Sequence, residues 1–278
     1  MSNNVRVAVL FGFGINCDRE TAAVFDMVGG TSERLHVNNL VQGNRSLEEF
    51  DILAVPGGFS FGDHLGSGRL LGNRLRFALR DQLQKFVISG KPIIGICNGF
   101  QALVKTGLLP GPESASLEPD LIQRASLTLN NTGRYEDRWV TLEFDSESPC
   151  IWTKGIQRIE CPVRHGEGRF VMPTDADLDR LSTNHQLTVR YVDPSTESGS
   201  GLSDDLLPFP LSPNGSMRNI AGICDPTGLV FGLMPHPEAF YTMWLHPEHT
   251  SMNLEDDQWE GSGLQIFRNA VEYVRSQR

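Results

Sequence analysis

The first third of the chain carries a rhythm that most constrains its fold: short apolar runs alternate with amphipathic stretches, and each run ends in a turn rich in glycine or proline. Val5 to Phe11 precedes a helical pattern around Glu20 to Val28, Ile52 to Val55 precedes one from Leu70 to Val87, and Ile93 to Ile96 precedes one from Phe100 to Leu103. Continuous apolar strands alternating with helices belong to parallel sheets covered on both faces. The turns Gly12-Phe13-Gly14, Pro56-Gly57-Gly58 and Cys97-Asn98-Gly99 all fall at the carboxyl ends of those runs. Open α/β sheets gather their ligands at such ends, so a functional site is expected there.

The second half reads differently, with β-rich runs at Trp139 to Phe144, Arg158 to Val163, Leu187 to Tyr191 and Leu229 to Met234, then a closing helix near Leu264 to Val274. These runs either extend the same sheet or add a small antiparallel layer. Residues 194–219, crowded with Ser, Gly, Pro and Asp, read as a long exposed loop within one domain spanning 4–275.

Composition excludes several classes. A hydrophobic content of 39% with 21% charged residues is that of an ordinary globular chain, and the apolar stretches are too short and interrupted to span a membrane. The start, Met1 to Arg6, lacks the pattern of a secretory signal, so the cytoplasm is the expected location. A net charge of -10 opposes nucleic-acid binding. The five cysteines, Cys17, Cys97, Cys150, Cys161 and Cys224, have no metal-type spacing and are odd in number, which disfavours a disulfide framework or a zinc site and leaves room for a nucleophile.

The sharpest local signal is Gly95-Ile96-Cys97-Asn98-Gly99, in which an apolar strand runs into a cysteine flanked by glycines and then into a helix. This has the form of a nucleophile elbow. The glycines permit a tight turn that lifts the side chain above the sheet, and a helix amino terminus favours thiolate over thiol. From the pentapeptide alone, an inert cysteine in a plain strand-to-helix turn fits equally well.

A thiolate attacking an amide needs a proton donor for the departing ammonia, commonly a histidine held by a carboxylate. His236 and Glu238 supply both in Met234-Pro235-His236-Pro237-Glu238, directly after an apolar run, with prolines restricting the backbone on either side. His246-Pro247-Glu248 repeats the triplet but follows Tyr241-Thr242-Met243-Trp244, which does not read as a strand; His236 is therefore preferred. Attack also builds negative charge on oxygen, for which the backbone amides of Phe59, after Gly57-Gly58, and Asn98 are candidate donors.

Taken in order, Pro56-Gly57-Gly58-Phe59-Ser60, Gly95 to Gln101 and Gly232 to Glu238 closely resemble class I glutamine amidotransferases, in particular the glutaminase subunit or domain of phosphoribosylformylglycinamidine synthase. Asn16-Cys17-Asp18, Phe61-Gly62-Asp63, His165-Gly166-Glu167-Gly168 and Pro213 to Ser216 extend the resemblance across nearly the whole chain. It implies a flavodoxin-like, mostly parallel sheet, a glutamyl thioester on Cys97, and a triad completed by His236 and Glu238. It also implies that Gln101 and the Gly57-Gly58 backbone hold glutamine, and that the segment containing His165 and Gly166 borders the site.

The implied partner is a synthetase subunit that binds ATP and magnesium and consumes the ammonia in purine biosynthesis, with or without a small bridging subunit. No cofactor is expected on this chain, which carries no Walker A motif. Two other readings fit the residues: a Cys-His hydrolase of another γ-glutamyl or amide substrate, or a non-catalytic regulatory subunit. Four features depart from the family pattern: Ala239 where a basic residue commonly follows His-Pro-Glu, the Phe240 to Trp244 aromatic cluster, the long 194–219 loop, and residues 64–72, where a cysteine is usual near Ser67.

Overall fold

The computed structural model describes residues 4–113, 121–199, 203–252 and 259–278. The first three residues of the stretch read for a signal, and 200–202 of the 194–219 loop, lie outside them. The chain runs β1 (Val5–Phe11), α1 (Asp18–Met27), β2 (Gly30–His36), α2 (Val37–Val41), β3 (Ile52–Val55), α3 (Arg69–Ala78), α4 (Arg80–Ile88), β4 (Ile93–Ile96) and α5 (Asn98–Thr106). It continues through β5 (Ser126–Thr128), β6 (Glu136–Phe144), β7 (Arg158–His165), β8 (Arg169–Val171), α6 (Asp175–Thr183), β9 (Val189–Val192), β10 (Ile220–Cys224), β11 (Val230–Leu233) and α7 (Leu264–Ser276).

Among the described residues, the central sheet has 9 strands in the order β2-β1-β3-β4-β11-β10-β9-β6-β7. The pairings from β2 through β11 are parallel, and those from β11 through β7 antiparallel. The chain thus extends the parallel sheet and also adds a small layer, the β5-β8 ladder. β3 and β4 are buried at every residue, as strands covered on both faces must be. α5 packs on β3, β4 and β11, with α3 against it, while α1 and α7 pack together, α7 also against β1. On α7 the buried Phe267, Ala270, Val271 and Val274 recur at helical spacing, which is why this stretch closes the fold as a helix.

Three features differ from expectation. The helical pattern from Leu70 to Val87 is two helices, because Leu79, at φ -118 and ψ 14, leaves helical geometry between them. β2 gave no apolar signal because it is an edge strand whose only buried residue is Leu35. The 194–219 loop is not exposed throughout. Ser212, Asn214, Ser216 and Asn219 are buried, and the Asn214 side-chain amide donates to the Gly168 carbonyl at 2.9 Å and to the Tyr191 hydroxyl at 3.2 Å.

The antiparallel half also curls. β7 is the far edge of the sheet, yet the amide just after β11, that of His236, donates to the Pro162 carbonyl in β7 at 2.8 Å. That contact brings the end of β7 back beside the carboxyl end of β4, where the expected site lies.

Candidate active site

Cys97 sits between β4 and α5 at φ 50 and ψ -106, in the positive-φ region that a side chain rarely adopts. The turn is held from both sides: the Cys97 amide donates to Leu233 at 2.8 Å, and the Gln101 amide to Cys97 at 3.0 Å. Gly99 must be glycine, since a Cβ there would overlap the Val55 carbonyl of β3. Phe100, fully buried and stacked near Phe170, anchors the helix that follows; burying such a ring contributes about 2–3 kcal/mol. The elbow is therefore strained backbone fixed by packing, with its thiol near the Arg164 carbonyl of β7 at 3.6 Å.

His236 and Glu238 approach from the end of β11. His236 Nδ1 lies 2.6 Å from Glu238 Oε1, and both residues are buried, so the carboxylate fixes the ring with Nδ1–H as donor. His236 Nε2 is buried and, among the described residues, makes no hydrogen bond of ordinary geometry, while the Cys17 and Cys97 thiols lie near enough to interact with the ring. Burial alone would press the ring's pKa down, but the Glu238 carboxylate and negative charge on Cys97 outweigh it and hold it well above the ordinary value. His246 stands elsewhere: its Nε2 meets Glu160 of β7 at 2.7 Å, its Nδ1 accepts from the Glu248 amide at 3.2 Å, and it packs edge-on to Trp139. The second His-Pro-Glu is a structural clamp on the edge strand.

Gly57 lies against the centre of this arrangement. A Cβ there would stand 2.8 Å from His236 Cε1, 3.3 Å from Cys17 Sγ and 3.5 Å from Cys97 Cβ. The Phe59 amide, expected as an oxyanion donor, is instead consumed by the Gly14 carbonyl at 2.8 Å. This bond belongs to an antiparallel bridge between Ile15 and Gly58, and successive amides of an extended segment point to opposite sides. The neighbouring Gly58 amide points to the other side of that segment, which makes it the candidate donor in place of Phe59.

The Asn98 side chain ties the two loops together, accepting from the Ser60 amide at 3.1 Å and donating to Asp63 at 3.1 Å and to Gln101 Oε1 at 2.9 Å. Burial raises the Asp63 carboxyl's pKa, against hydrogen bonds from Gly68 and Asn98. Gln101 is buried and its amide also donates to the Glu167 carbonyl, so it braces the Glu167 segment as well as lying one turn beyond Cys97.

His165 is buried, with Nδ1 at 3.1 Å from Asn130 Oδ1. That oxygen also accepts from the Gly168 amide, so the ring presents Nδ1–H to it and is neutral; burial lowers its pKa to about 3. Gly166 accepts from the Asn130 amide at 2.9 Å and lies beneath Tyr135, whose half-exposed ring leans on Phe59. The residue that sequence reasoning did not place here is Cys17. It follows the turn after β1, and its amide donates to the Gly57 carbonyl at 3.2 Å. Its position after a strand end was the available signal.

Together these elements set a cysteine on a strained elbow beside a buried histidine held by a carboxylate. That is the equipment for acyl transfer from an amide.

Comparison with known proteins finds likeness to glutamine amidotransferases. Residues 4–274 match the model of the CobB/CobQ-like glutamine amidotransferase domain. The chain is 42% identical over 273 residues to phosphoribosylformylglycinamidine synthase subunit PurQ of Dehalococcoides mccartyi, covering 98% of this chain and 99% of that one. It is 40% identical over 277 residues to the PurQ subunit of Methanococcus maripaludis strain S2, covering 96% and 97%. Among solved structures it resembles a chain of PurLQS from Thermotoga maritima with a TM-score of 0.67, 26% identity, and coverage of 97% and 98%.

Proposed function

The chain belongs to the PurQ family of glutamine amidotransferases, and from that premise we propose that Cys97, His236 and Glu238 carry out its glutaminase reaction through a γ-glutamyl thioester. The chain is the glutaminase subunit of phosphoribosylformylglycinamidine synthase in purine biosynthesis. The observation that carries the site assignment is the buried imidazole of His236, oriented by Glu238 beside a cysteine on a strained elbow.

In the first step His236 Nε2 takes the Cys97 proton and the thiolate adds to the carboxamide carbon, while the oxygen's charge is met by the Gly58 and Asn98 amides. His236 then returns the proton to the departing nitrogen, releasing ammonia and leaving the thioester. Water, deprotonated by the same imidazole, adds next; collapse of the second adduct frees glutamate and restores the thiol. Glu238 holds the imidazolium that forms in each step.

The ammonia passes to the synthetase subunit, which binds ATP and magnesium, and a small bridging subunit completes the assembly. The five unpaired thiols suit a reducing compartment, and we place the chain in the cytoplasm. Among the described residues, no helix is long and apolar enough to cross a membrane. The test is Cys97→Ala in the reconstituted complex. Glutamine-dependent synthesis should vanish while synthesis from added ammonia persists; glutamine use at the wild-type rate would overturn the assignment.

A further inference from the structure

Asn130, which follows β5, is buried, and both ends of its side-chain amide are engaged. Its Nδ2 donates to the Arg134 carbonyl at 2.9 Å and to the His165 carbonyl at 2.8 Å. Two carbonyls can be met only by the NH2 end of an amide, so the opposite end is the carbonyl oxygen. That oxygen accepts from the Gly168 amide at 3.0 Å and stands 3.1 Å from His165 Nδ1, which must therefore carry the ring proton. The Asn130 backbone amide adds a bond to the Gly166 carbonyl at 2.9 Å. One residue thus grips both ends of the turn from His165 to Gly168.

That turn abuts the reacting centre. Arg164, just before it, sets its carbonyl 3.6 Å from Cys97 Sγ, and the Gln101 side chain donates to the Glu167 carbonyl. The His165 ring lies over Gly168, where a Cβ would fall 2.4 Å from the ring's Cε1. With the proton on Nδ1, Nε2 carries a lone pair, and this buried nitrogen has no hydrogen-bond partner among the described residues. A buried acceptor left open is costly unless a ligand fills it. The carboxamide of glutamine is engaged by Cys97, His236 and the backbone amides, so the donor that remains on the substrate is its α-ammonium group.

We propose that Asn130 is a positioning residue for glutamine: by fixing the Nδ1–H tautomer of His165, it makes Nε2 the acceptor for the substrate's α-ammonium group. The inference rests on the glutaminase reading above and names what the His165 turn recognises. The ring stays neutral in the working range because burial, and then the charge of His236, lower its pKa to about 3. The other charged group facing it is Glu136, its partner across β6, which Arg138 holds at 2.6 Å; Glu167 on its own turn meets the Ser67 amide instead.

The probe is glutaramate, which is glutamine without its α-amino group, compared with glutamine as a ratio of kcat/KM values in the assembled complex. Both substrates meet the same nucleophile and base, so a general loss of stability or of His236 function cancels in the ratio. In Asn130→Ala the preference for glutamine should fall at least about tenfold. Asn130→Asp keeps the acceptor oxygen but sets a carboxylate against Nδ1–H, which favours the imidazolium. Its preference should stand near wild type at about pH 8 and fall toward the Asn130→Ala value at about pH 5.5, while that of the wild type stays level. NMR of the full-length wild-type chain labelled with 15N-histidine should show His165 protonated at Nδ1 and bare at Nε2, its signal assigned by its loss in His165→Gln. An unchanged preference in Asn130→Ala, a preference independent of pH in Asn130→Asp, or a resting ring with its proton on Nε2 would overturn the proposal. Failure of the glutaminase reading itself shows separately, as glutamine use that survives Cys97→Ala.

Discussion

Gly57→Ala isolates the geometry of the centre without removing any reacting group. The backbone at Gly57 tolerates a side chain, so the effect comes from the methyl group alone. Its carbon would lie 2.8 Å from His236 Cε1, whereas carbon atoms pack at about 3.5–4.0 Å, so ring and methyl must separate by roughly 0.7–1.2 Å. The ring is poorly able to yield, because Glu238 holds Nδ1 at 2.6 Å and the residue is buried. A displacement of that size at a base that must meet a thiol costs about 10²-fold in rate, or about 2.7 kcal/mol of activation energy. Crowding of the Cys17 sulfur, at 3.3 Å, adds a loss of folding stability of about 1–3 kcal/mol. Steady-state ammonia release from glutamine in the assembled complex measures the first effect, and urea unfolding the second. A folded variant whose kcat stays within about threefold of wild type would contradict the placing of the acid-base ring over Gly57.

Other perturbations separate the neighbouring roles. Glu238→Gln should preserve the fold while slowing glutamine hydrolysis by about 10²–10⁴-fold, since the amide holds the ring without stabilising its positive charge; steady-state kinetics decides it. His236→Ala should abolish ammonia release, whereas His246→Ala should keep turnover and lose about 1–3 kcal/mol of stability through the broken Glu160 and Glu248 contacts, read by urea melts. His165 is neutral in the fold because burial lowers its pKa from 6.5 to about 3. The unfolded chain therefore binds the extra proton first, and the stability present above pH 6.5 is lost as pH falls toward 3. Between pH 6.5 and 5 the loss should be about 2 kcal/mol, and His165→Gln should remove that part of the pH dependence in urea unfolding.

The parts of the site legible in the sequence are those whose geometry is local. Cys97 is presented by its own strand, glycines and helix, and His236 meets a carboxylate two residues away, so each motif carries its own conformation. The strands β3 and β4 were likewise legible because burial on both faces makes every residue apolar. What was not legible depends on contacts made across the chain. Whether Phe59 or Gly58 is the candidate donor is decided by the Ile15 bridge, more than forty residues earlier in the chain. Cys17 enters the centre only because β1 lies beside β3 and its turn docks on Gly57. The approach of Arg164 to Cys97 follows from the curl of the antiparallel half, which no local pattern encodes. Asn214 and Ser216 looked like loop residues because their burial beneath Gly168 is satisfied by hydrogen bonds rather than by apolar surface.

The central claim, a thioester on Cys97, is tested most directly by acid-quenching the complex during turnover of glutamine and mapping the covalent adduct by peptide mass spectrometry. Both Cys97 and Cys17 lie close to His236, so the position of the adduct discriminates between them. A γ-glutamyl group on the peptide containing Cys97, absent from that containing Cys17, is the expected result; an adduct on Cys17, or ammonia release with no adduct on any cysteine in quenches that capture the turnover, would contradict it.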